Sequence, residues 1–163
     1  MQSPLYAFEI TLQARPPEAA VGPAFTDAWG IWPTLAVPRE VLSAPLRIGF
    51  DEAIARLSAV ERLYAEPDGS FVWACSRGSG ASPGGWWQVD GNVSDREGRV
   101  LLVDLKGSCP AEEFDRLLRL VGWPEQPLMM QLVRSAVFVD EPTFRRHALT
   151  RGLAGDAATL RPG

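Results

Sequence analysis

The sequence predicts a single α+β domain, built mainly on an antiparallel sheet with helices packed on one side. The first observation is the alternation of apolar and polar residues over positions 61–106, interrupted by tight-turn sequences, which is typical of an antiparallel meander. The second is a segment after Pro110 in which apolar residues recur at helical spacing. We expect residues 1–151 to form the domain and residues 152–163 to form a frayed C-terminal tail.

The composition is that of an ordinary globular protein. The chain has 163 residues, of which 46% are hydrophobic and 22% are charged, and these values exclude a wholly disordered or coiled-coil design. The net charge of −4 argues against broad non-specific binding to nucleic acid or anionic membranes and slightly favours basic partners. Two cysteines are too few for a disulfide framework or a zinc ligand set, and the N-terminal residues contain no basic leader or long apolar segment. We therefore expect a cytoplasmic protein with no membrane partner.

The first predicted element is a strand near the N-terminus. Four apolar side chains alternate there with polar or small ones, a period of two that indicates one buried face: Tyr6, Phe8, Ile10 and Leu12. Residues 14–49 contain six prolines, which predict a largely irregular segment. This segment also carries Trp29 and Trp32, which would either cover the sheet or belong to a partner-binding arm.

A short helix and a hairpin are predicted next. Asp51 is a suitable N-cap for a helix from Glu52 to about Ser58. The turn sequence at positions 66–70 joins strands near 61–66 and 70–76, and the alternation places Cys75 on the core side as a packed, unreactive thiol. Residues 76–85 are rich in glycine and serine, which predicts a flexible connection or a lid, without the spacing of a phosphate-binding loop.

The most informative segment is a second hairpin, residues 86–106. The sequence of residues 95–99 predicts a three-residue loop that pairs Asp95 with Arg99. Counting outward from this loop places Asp90 directly opposite Asp104 and Gln88 opposite Lys106. Six apolar residues then share the other face: Trp87, Val89, Val93, Leu101, Val103 and Leu105. Two facing carboxylates repel each other unless a cation or a proton lies between them.

Two more helices and at least one strand are predicted in the last third of the chain. Pro110 opens a helix with a regular apolar stripe, which Gly122 and Pro124 end. We assign a strand to residues 128–133, although this run and residues 136–139 are too densely apolar for periodicity to separate strand from helix. Asp140 opens a final helix that extends to about Thr150.

The order of elements over about residues 51–133, a helix, a three-strand meander, a helix and a strand, resembles the PD-(D/E)XK nuclease-like superfamily. The residues that match its motif are Asp90 on the second strand and Asp104 and Lys106 at the end of the third. The resemblance implies that the two aspartates bind a divalent metal such as Mg²⁺, while Lys106 orients or activates the attacking water. Carboxylate oxygens are suitable ligands for magnesium. The alternative is a solvated polar face on which Lys106 and Asp90 form a diagonal ion pair.

Cys109 and His147 are further candidates for chemistry. Cys109 precedes the predicted helix, where the helix dipole would lower the pKa of its thiol and favour a nucleophile. His147 is the single histidine, and a catalytic pair would require the two side chains to be in contact. We favour the alternative, a thiol without catalytic function and a surface histidine.

The function expected from these observations is that of a cytosolic protein-binding domain, of the inhibitor or immunity type, which acts without catalysis or a cofactor. Its partner surface is expected to contain Trp29, Trp32, Trp86 and Trp123, because tryptophan is enriched at binding hot spots. The alternative is a Mg²⁺-dependent nuclease-like phosphodiesterase that acts on nucleic acid through Asp90, Asp104 and Lys106, with the two aspartates as metal ligands.

Overall fold

A computed structural model of the chain describes residues 4–75 and 86–155. The strands are β1 Leu5–Ala14, β2 Ala20–Val21, β3 Phe25–Asp27, β4 Gly30–Trp32, β5 Leu35–Ala36, β6 Leu63–Ala65, β7 Ser70–Ala74, β8 Gln88–Arg96, β9 Arg99–Pro110, β10 Leu128–Leu132 and β11 Val137–Asp140. The helices are a 3₁₀ turn at Arg39–Val41, α1 Phe50–Ser58, α2 Ala111–Leu120 and α3 Glu141–Leu153. The predicted flexible run at 76–85 lies outside the described residues.

An antiparallel sheet dominates the fold. Within the described residues nine strands form it, in the order β2-β5-β11-β10-β1-β9-β8-β7-β6, while β3 and β4 make a separate hairpin. The strands β6, β7, β8 and β9 are neighbours in sequence and in the sheet, so the meander predicted near residues 61–106 is confirmed. The α+β class is confirmed with it.

The first strand lies at the centre of this sheet, between β9 and β10. Its position explains why its second face is also largely covered, although the sequence predicted a single buried face. Thr11 and Gln13 are both buried, and the hydroxyl of Thr11 donates a hydrogen bond to Asp104 Oδ1 at 3.0 Å. Glu9 stays partly exposed on the same face.

Four aromatic rings join the helices to the sheet. Phe8 contacts Phe114 of α2 at a centroid distance of 5.2 Å and Phe144 of α3 at 6.0 Å, and Tyr6 contacts the same two rings. Tyr6 and Phe8 point to the same side of β1, because alternate residues of a strand share a face. Helix α1 lies beside α2, with a hydrogen bond from the Arg56 guanidinium to the carbonyl of Leu120. The prediction that the helices pack on one side of the sheet is therefore confirmed.

The helix boundaries differ slightly from the predicted ones. Helix α1 starts at Phe50 with Gly49 as its N-cap, so the predicted Asp51 cap is wrong. Asp51 lies in the first turn, where its carboxylate interacts favourably with the helix dipole. Asp140 caps α3 as predicted, accepting a hydrogen bond from the Thr143 N–H at 2.9 Å. Helix α3 continues to Leu153, beyond the predicted end, and residues 156–163 lie outside the described part of the chain.

The proline-rich segment is more ordered than the sequence predicted. Its strands are two or three residues long and fit between successive prolines. β2 and β5 extend the sheet beyond β11, whereas the β3–β4 hairpin is held against α3 by side-chain contacts. Residues 128–132 and 137–140 are both strands, which decides the ambiguity that periodicity left open.

Candidate functional site

The register of the second hairpin differs from the predicted one. Its turn contains two residues, Glu97 at φ 53° and Gly98 at φ 85°, so that Arg96 pairs with Arg99. Both central residues of a type I′ turn need positive φ, and the sequence assigned that conformation to the glycine alone. A bulge between Ser94 and Asp95 shifts the register once more.

In this register the carboxylates of Asp90 and Asp104 are no longer directly opposite each other. Asp90 lies opposite Lys106, and Asp104 lies opposite Asn92, so the prediction that Asp90 faces Asp104 directly is wrong. The bulge also turns Val100 into the core in place of Leu101. The other five residues predicted for the core face are buried: Trp87, Val89, Val93, Val103 and Leu105.

Lys106 belongs to a row of five side chains that crosses five strands, with Asp90 at its middle. Successive pairings place Tyr64 opposite Val72, Val72 opposite Asp90, Asp90 opposite Lys106 and Lys106 opposite Glu9. We call this the Tyr64–Glu9 row. It lies on the face opposite the helices, because Glu9 is next to Phe8, whose ring points towards them.

The acids of this face already have partners. Lys106 Nζ lies 4.0 Å from Glu9 Oε2, and Asp90 Oδ1 accepts a hydrogen bond from Gln88 Nε2 at 2.9 Å. Asp90, Asp104, Lys106 and Glu9 line one shallow cavity of about 370 Å³. Across residues 4–75 and 86–155, no three His, Cys, Asp or Glu side chains are grouped as a metal ion would require. Glu9 was missed by sequence reasoning, because the β1–β9 pairing joins segments too distant in the chain to be predicted from a local pattern.

The four tryptophans predicted for a partner surface lie in different environments. Trp32 is 7% exposed and donates its indole N–H to Asp27 Oδ1, so it is part of the interior. Trp123 donates to Glu141 at the start of α3, whereas Trp29 packs against His147 near the end of that helix. Trp86, at 43% exposure, is the most open of the four.

A pair formed by the buried His147 and the partly buried Asp27 connects the β3–β4 hairpin to α3. Asp27 Oδ2 lies 2.7 Å from His147 Nε2, and its other oxygen accepts from the Trp29 N–H and the Trp32 indole. The rings of Trp29 and Trp32 meet the imidazole edge-on at 5.5 and 5.0 Å. The predicted surface location of His147 is therefore wrong. Sequence reasoning missed this cluster because its two ionisable residues are 120 positions apart.

The pH dependence of the free energy of unfolding tests how much the hydrogen bonds of Asp27 stabilise the protein. Burial raises the pKa of Asp27, but the bonds from Trp32, His147 and Trp29 outweigh it and hold the pKa below its usual 3.8. A carboxyl with a lowered folded pKa contributes stability that is complete above the unfolded pKa and is lost as the pH falls through the folded pKa. We expect Asp27→Asn to lower the free energy of unfolding by about 1–3 kcal/mol at neutral pH. Urea unfolding should show that this difference between the variant and the unchanged protein is smaller below about pH 4 than at neutral pH. An equal difference under the two conditions would contradict the expectation.

The pKa of the Cys109 thiol is raised, whereas a position before a helix N-terminus would lower it. Cys109 is fully buried, and burial, followed by the charges of Glu113 and Asp115, raises its pKa well above the usual thiol range. Because the thiolate is the reactive form, this cysteine is not activated as a nucleophile.

We expect Cys109 to resist modification in the folded protein. In a Cys75→Ala variant, reaction of Cys109 with a disulfide reagent such as DTNB should be at least about 100-fold slower than in urea, since both access and thiolate fraction are reduced. The absorbance of the released thiol measures the rate. Fast reaction in a chain that retains its folded circular-dichroism spectrum would contradict this expectation.

Comparison with models of known protein families, with curated proteins and with solved structures finds no match. Within the described residues, none of the helices has both the length and the apolar character needed to cross a membrane.

Proposed function

We propose that the chain is a protein-binding domain that acts without catalysis and that its partner docks along the Tyr64–Glu9 row. The observation that carries this proposal is an exposed apolar patch at one end of the row. Tyr64 is 71% exposed, and Val72, its cross-strand neighbour, is 40% exposed. Trp86, two residues before β8, is a further exposed aromatic residue, at 43% exposure. Exposed aromatic patches of this kind mark interaction surfaces.

The shape of the surface supports an extended ligand. A groove of about 630 Å³ lies over β6, β7 and β8, lined by Tyr64, Val72 and Gln88 among others. The shallow cavity over β8, β9 and β1 continues along the same row. Together they fit a polypeptide segment that crosses the strands, with contacts at both ends of the row.

The charges along the row indicate the chemistry of that segment. Asp90 and Glu9 flank Lys106, and Asp104 lies beside them. Arg134 Nε also lies 3.7 Å from Glu9, so three carboxylates accompany two cationic groups. The net charge of the chain, −4, has the same sign. We therefore infer a partner segment that places an apolar side chain on Tyr64 and Val72 and a lysine or arginine near Asp90, since complementary charge selects partners and speeds association.

A cytosolic location is part of the proposal. Cys75 and Cys109 are both buried as free thiols, which suits a reducing compartment. An inhibitor or immunity-type protein, which binds another protein to block it, would use such a surface. The partner itself is left to experiment.

Site-specific cross-linking tests the proposal. A photo-reactive residue at position 64 should capture a partner from a lysate of the source cells, whereas the same residue at position 31 should not. Ile31 is a matched control, because it is also apolar and also 71% exposed but lies on the β3–β4 hairpin.

The affinity of the captured protein for the chain should then depend on residues of the Tyr64–Glu9 row. We expect Tyr64→Ala and Asp90→Asn each to weaken its binding about tenfold, which corresponds to about 1.4 kcal/mol, while Ile31→Ser changes it by less than about twofold. Isothermal titration calorimetry measures the affinities. Equal capture at positions 31 and 64, or unchanged affinity in both row variants, would refute the proposal.

A metal-dependent phosphodiesterase is the second candidate function, favoured by the cavity that Asp90, Asp104 and Lys106 share. Because Lys106 lies opposite Asp90 and Thr11 donates to Asp104, we expect neither Mg²⁺ nor Mn²⁺ to stabilise the chain. A metal that binds the native state at 100 times its Kd would raise the melting temperature of a chain of this size by roughly 5–10 °C. Thermal unfolding with and without metal measures this. Such a rise, with cleavage of DNA or RNA, would replace the first proposal.

A further inference from the structure

A second cavity meets the Tyr64–Glu9 row at Glu9 alone. It is a partly enclosed space of about 220 Å³ between the β3–β4 hairpin, the end of α3 and strands β1 and β10. Phe25 and Trp29 line it and are partly exposed, so a molecule in the cavity would cover apolar surface that now faces solvent. Half of its lining is apolar or aromatic: Phe8, Ile10, Phe25, Trp29, Leu132 and Val133.

The carboxylates and guanidinium groups of the lining are equal in number. Glu9 and Asp27 supply two carboxylates, and Arg134 and Arg151 supply two guanidinium groups. Glu9 Oε1 lies 3.7 Å from Arg134 Nε, whereas Asp27 accepts hydrogen bonds on both of its oxygens. Arg151 stacks on the Trp29 ring, with its Cζ 4.9 Å from the ring centroid. Each of these charged groups therefore has a partner within the protein.

This balance and the cavity volume indicate the charge and size of an occupant. A charged ligand would bring an uncompensated charge into a partly buried site, whereas a neutral ligand leaves the balance unchanged. A cavity of about 150 Å³ lined by leucine, isoleucine and phenylalanine binds benzene. At about 220 Å³, with a partly aromatic lining, the present cavity suits a somewhat larger ring system. Aromatic walls favour an aromatic occupant, because ring edges and ring faces attract each other.

We propose that this cavity binds a small neutral aromatic molecule, about the size of two fused rings, which packs against Phe25 and Trp29. The driving force is removal of apolar surface from water, on the ligand and on both side chains. The inference does not rest on the protein-binding proposal. Glu9 borders both the row and the cavity, so the test alters Phe25 and Ser135, which line the cavity and are absent from the row.

Indole is the probe for the test, with indole-3-carboxylate and tryptamine as analogues that carry a negative and a positive charge on the same ring system. Titration of the full chain, followed by ¹H–¹⁵N NMR, should show saturable shifts at the indole N–H of Trp29 and at the amide of Phe25. We expect a Kd of about 0.1–1 mM for a ligand of this size. Each charged analogue should bind at least about fivefold more weakly, since its charge finds no free partner in the lining.

Two variants and a matched control connect the binding to the cavity. Phe25→Ala removes one aromatic wall and should weaken indole binding at least about fivefold. Ser135→Phe adds a ring to the lining and should weaken it at least about tenfold, because less space remains for the ligand. Ile31→Ser changes a 71% exposed apolar residue of the same hairpin, outside the lining, and should leave the Kd within about twofold. Circular dichroism checks that each variant is folded.

The outcomes that would overturn the proposal are distinct. Equal or tighter binding of either charged analogue would show that the site does not select a neutral ring. Unchanged affinity in both Phe25→Ala and Ser135→Phe, or saturable shifts at Tyr64 and Val72 instead of Trp29, would place indole outside the cavity. Absence of saturable shifts up to millimolar indole would remove the site altogether. None of these results changes the cross-linking test at Tyr64, and failure of that test would leave indole binding unaffected.

Discussion

Replacing Gly152 with alanine will destabilise the protein by about 1–3 kcal/mol or more, although alanine is the better helix former by about 1 kcal/mol. The reason is the packing of α3 on β1. A Cβ at position 152 would overlap the carbonyl oxygen of Leu5, which is main chain of the central strand and cannot rotate away as a side chain could. The helix would have to move off the sheet, and the contacts of Phe144 would loosen with it.

Urea unfolding followed by circular dichroism measures this effect. Gly49→Ala is the control, since a Cβ there would lie 3.6 Å from the Gly98 carbonyl oxygen, an ordinary contact distance. We expect the control to change the free energy of unfolding by less than about 1 kcal/mol, the usual range for an N-cap substitution of this kind. A stabilised Gly152→Ala variant would mean that α3 does not lie as close to β1 as described.

Truncating Phe8 to alanine will cost about 3–5 kcal/mol of stability, the largest effect that we expect from a single side chain in this protein. Phe8 is almost fully buried and contacts rings from both α2 and α3, so its removal leaves a cavity between three elements. For a chain of this length the melting temperature should fall by roughly 10 °C. Val72→Ala, at an exposed position of the sheet, should change stability by less than about 0.5 kcal/mol.

A double-mutant cycle separates ring contacts from simple burial. The coupling energy between Phe8→Ala and Phe144→Ala should be about 0.5–1.5 kcal/mol beyond additivity, because the two rings meet at 65° in an edge-to-face arrangement. If Phe8→Ala proves too unstable to measure, Phe8→Leu in the same cycle keeps most of the volume and removes the aromatic edge. Additive effects in both cycles would contradict direct ring coupling.

The features that the sequence predicted correctly are local ones. The strand at Tyr6, the helix after Pro110 and the Asp140 cap each follow from a pattern within a few residues, such as apolar spacing or a capping side chain. The predicted register of the second hairpin is wrong for a reason that is also local. Glu97 adopts a positive φ, which costs energy for a residue with a side chain, and the choice between a two-residue and a three-residue turn depends on that cost.

The candidate sites depend on contacts that no local pattern contains. Asp27 meets His147 across 120 positions, and Thr11 meets Asp104 across 93. Lys106 was correctly placed on the polar face, but its neighbour Glu9 belongs to a strand from the other end of the chain. Pairing partners in a sheet are set by the packing of the whole domain, so the sequence could name Asp90 and Lys106 as polar-face residues without giving their environment.

The position of β1 has a consequence for how the protein folds during synthesis. Residues 5–14 are synthesised long before the strands that flank them, at residues 99–110 and 128–132. Until then an apolar segment with open hydrogen-bonding edges has no native neighbours, and closure of such distant contacts is slow. Strand β1 should therefore join the sheet only after β9 and β10 have both been synthesised.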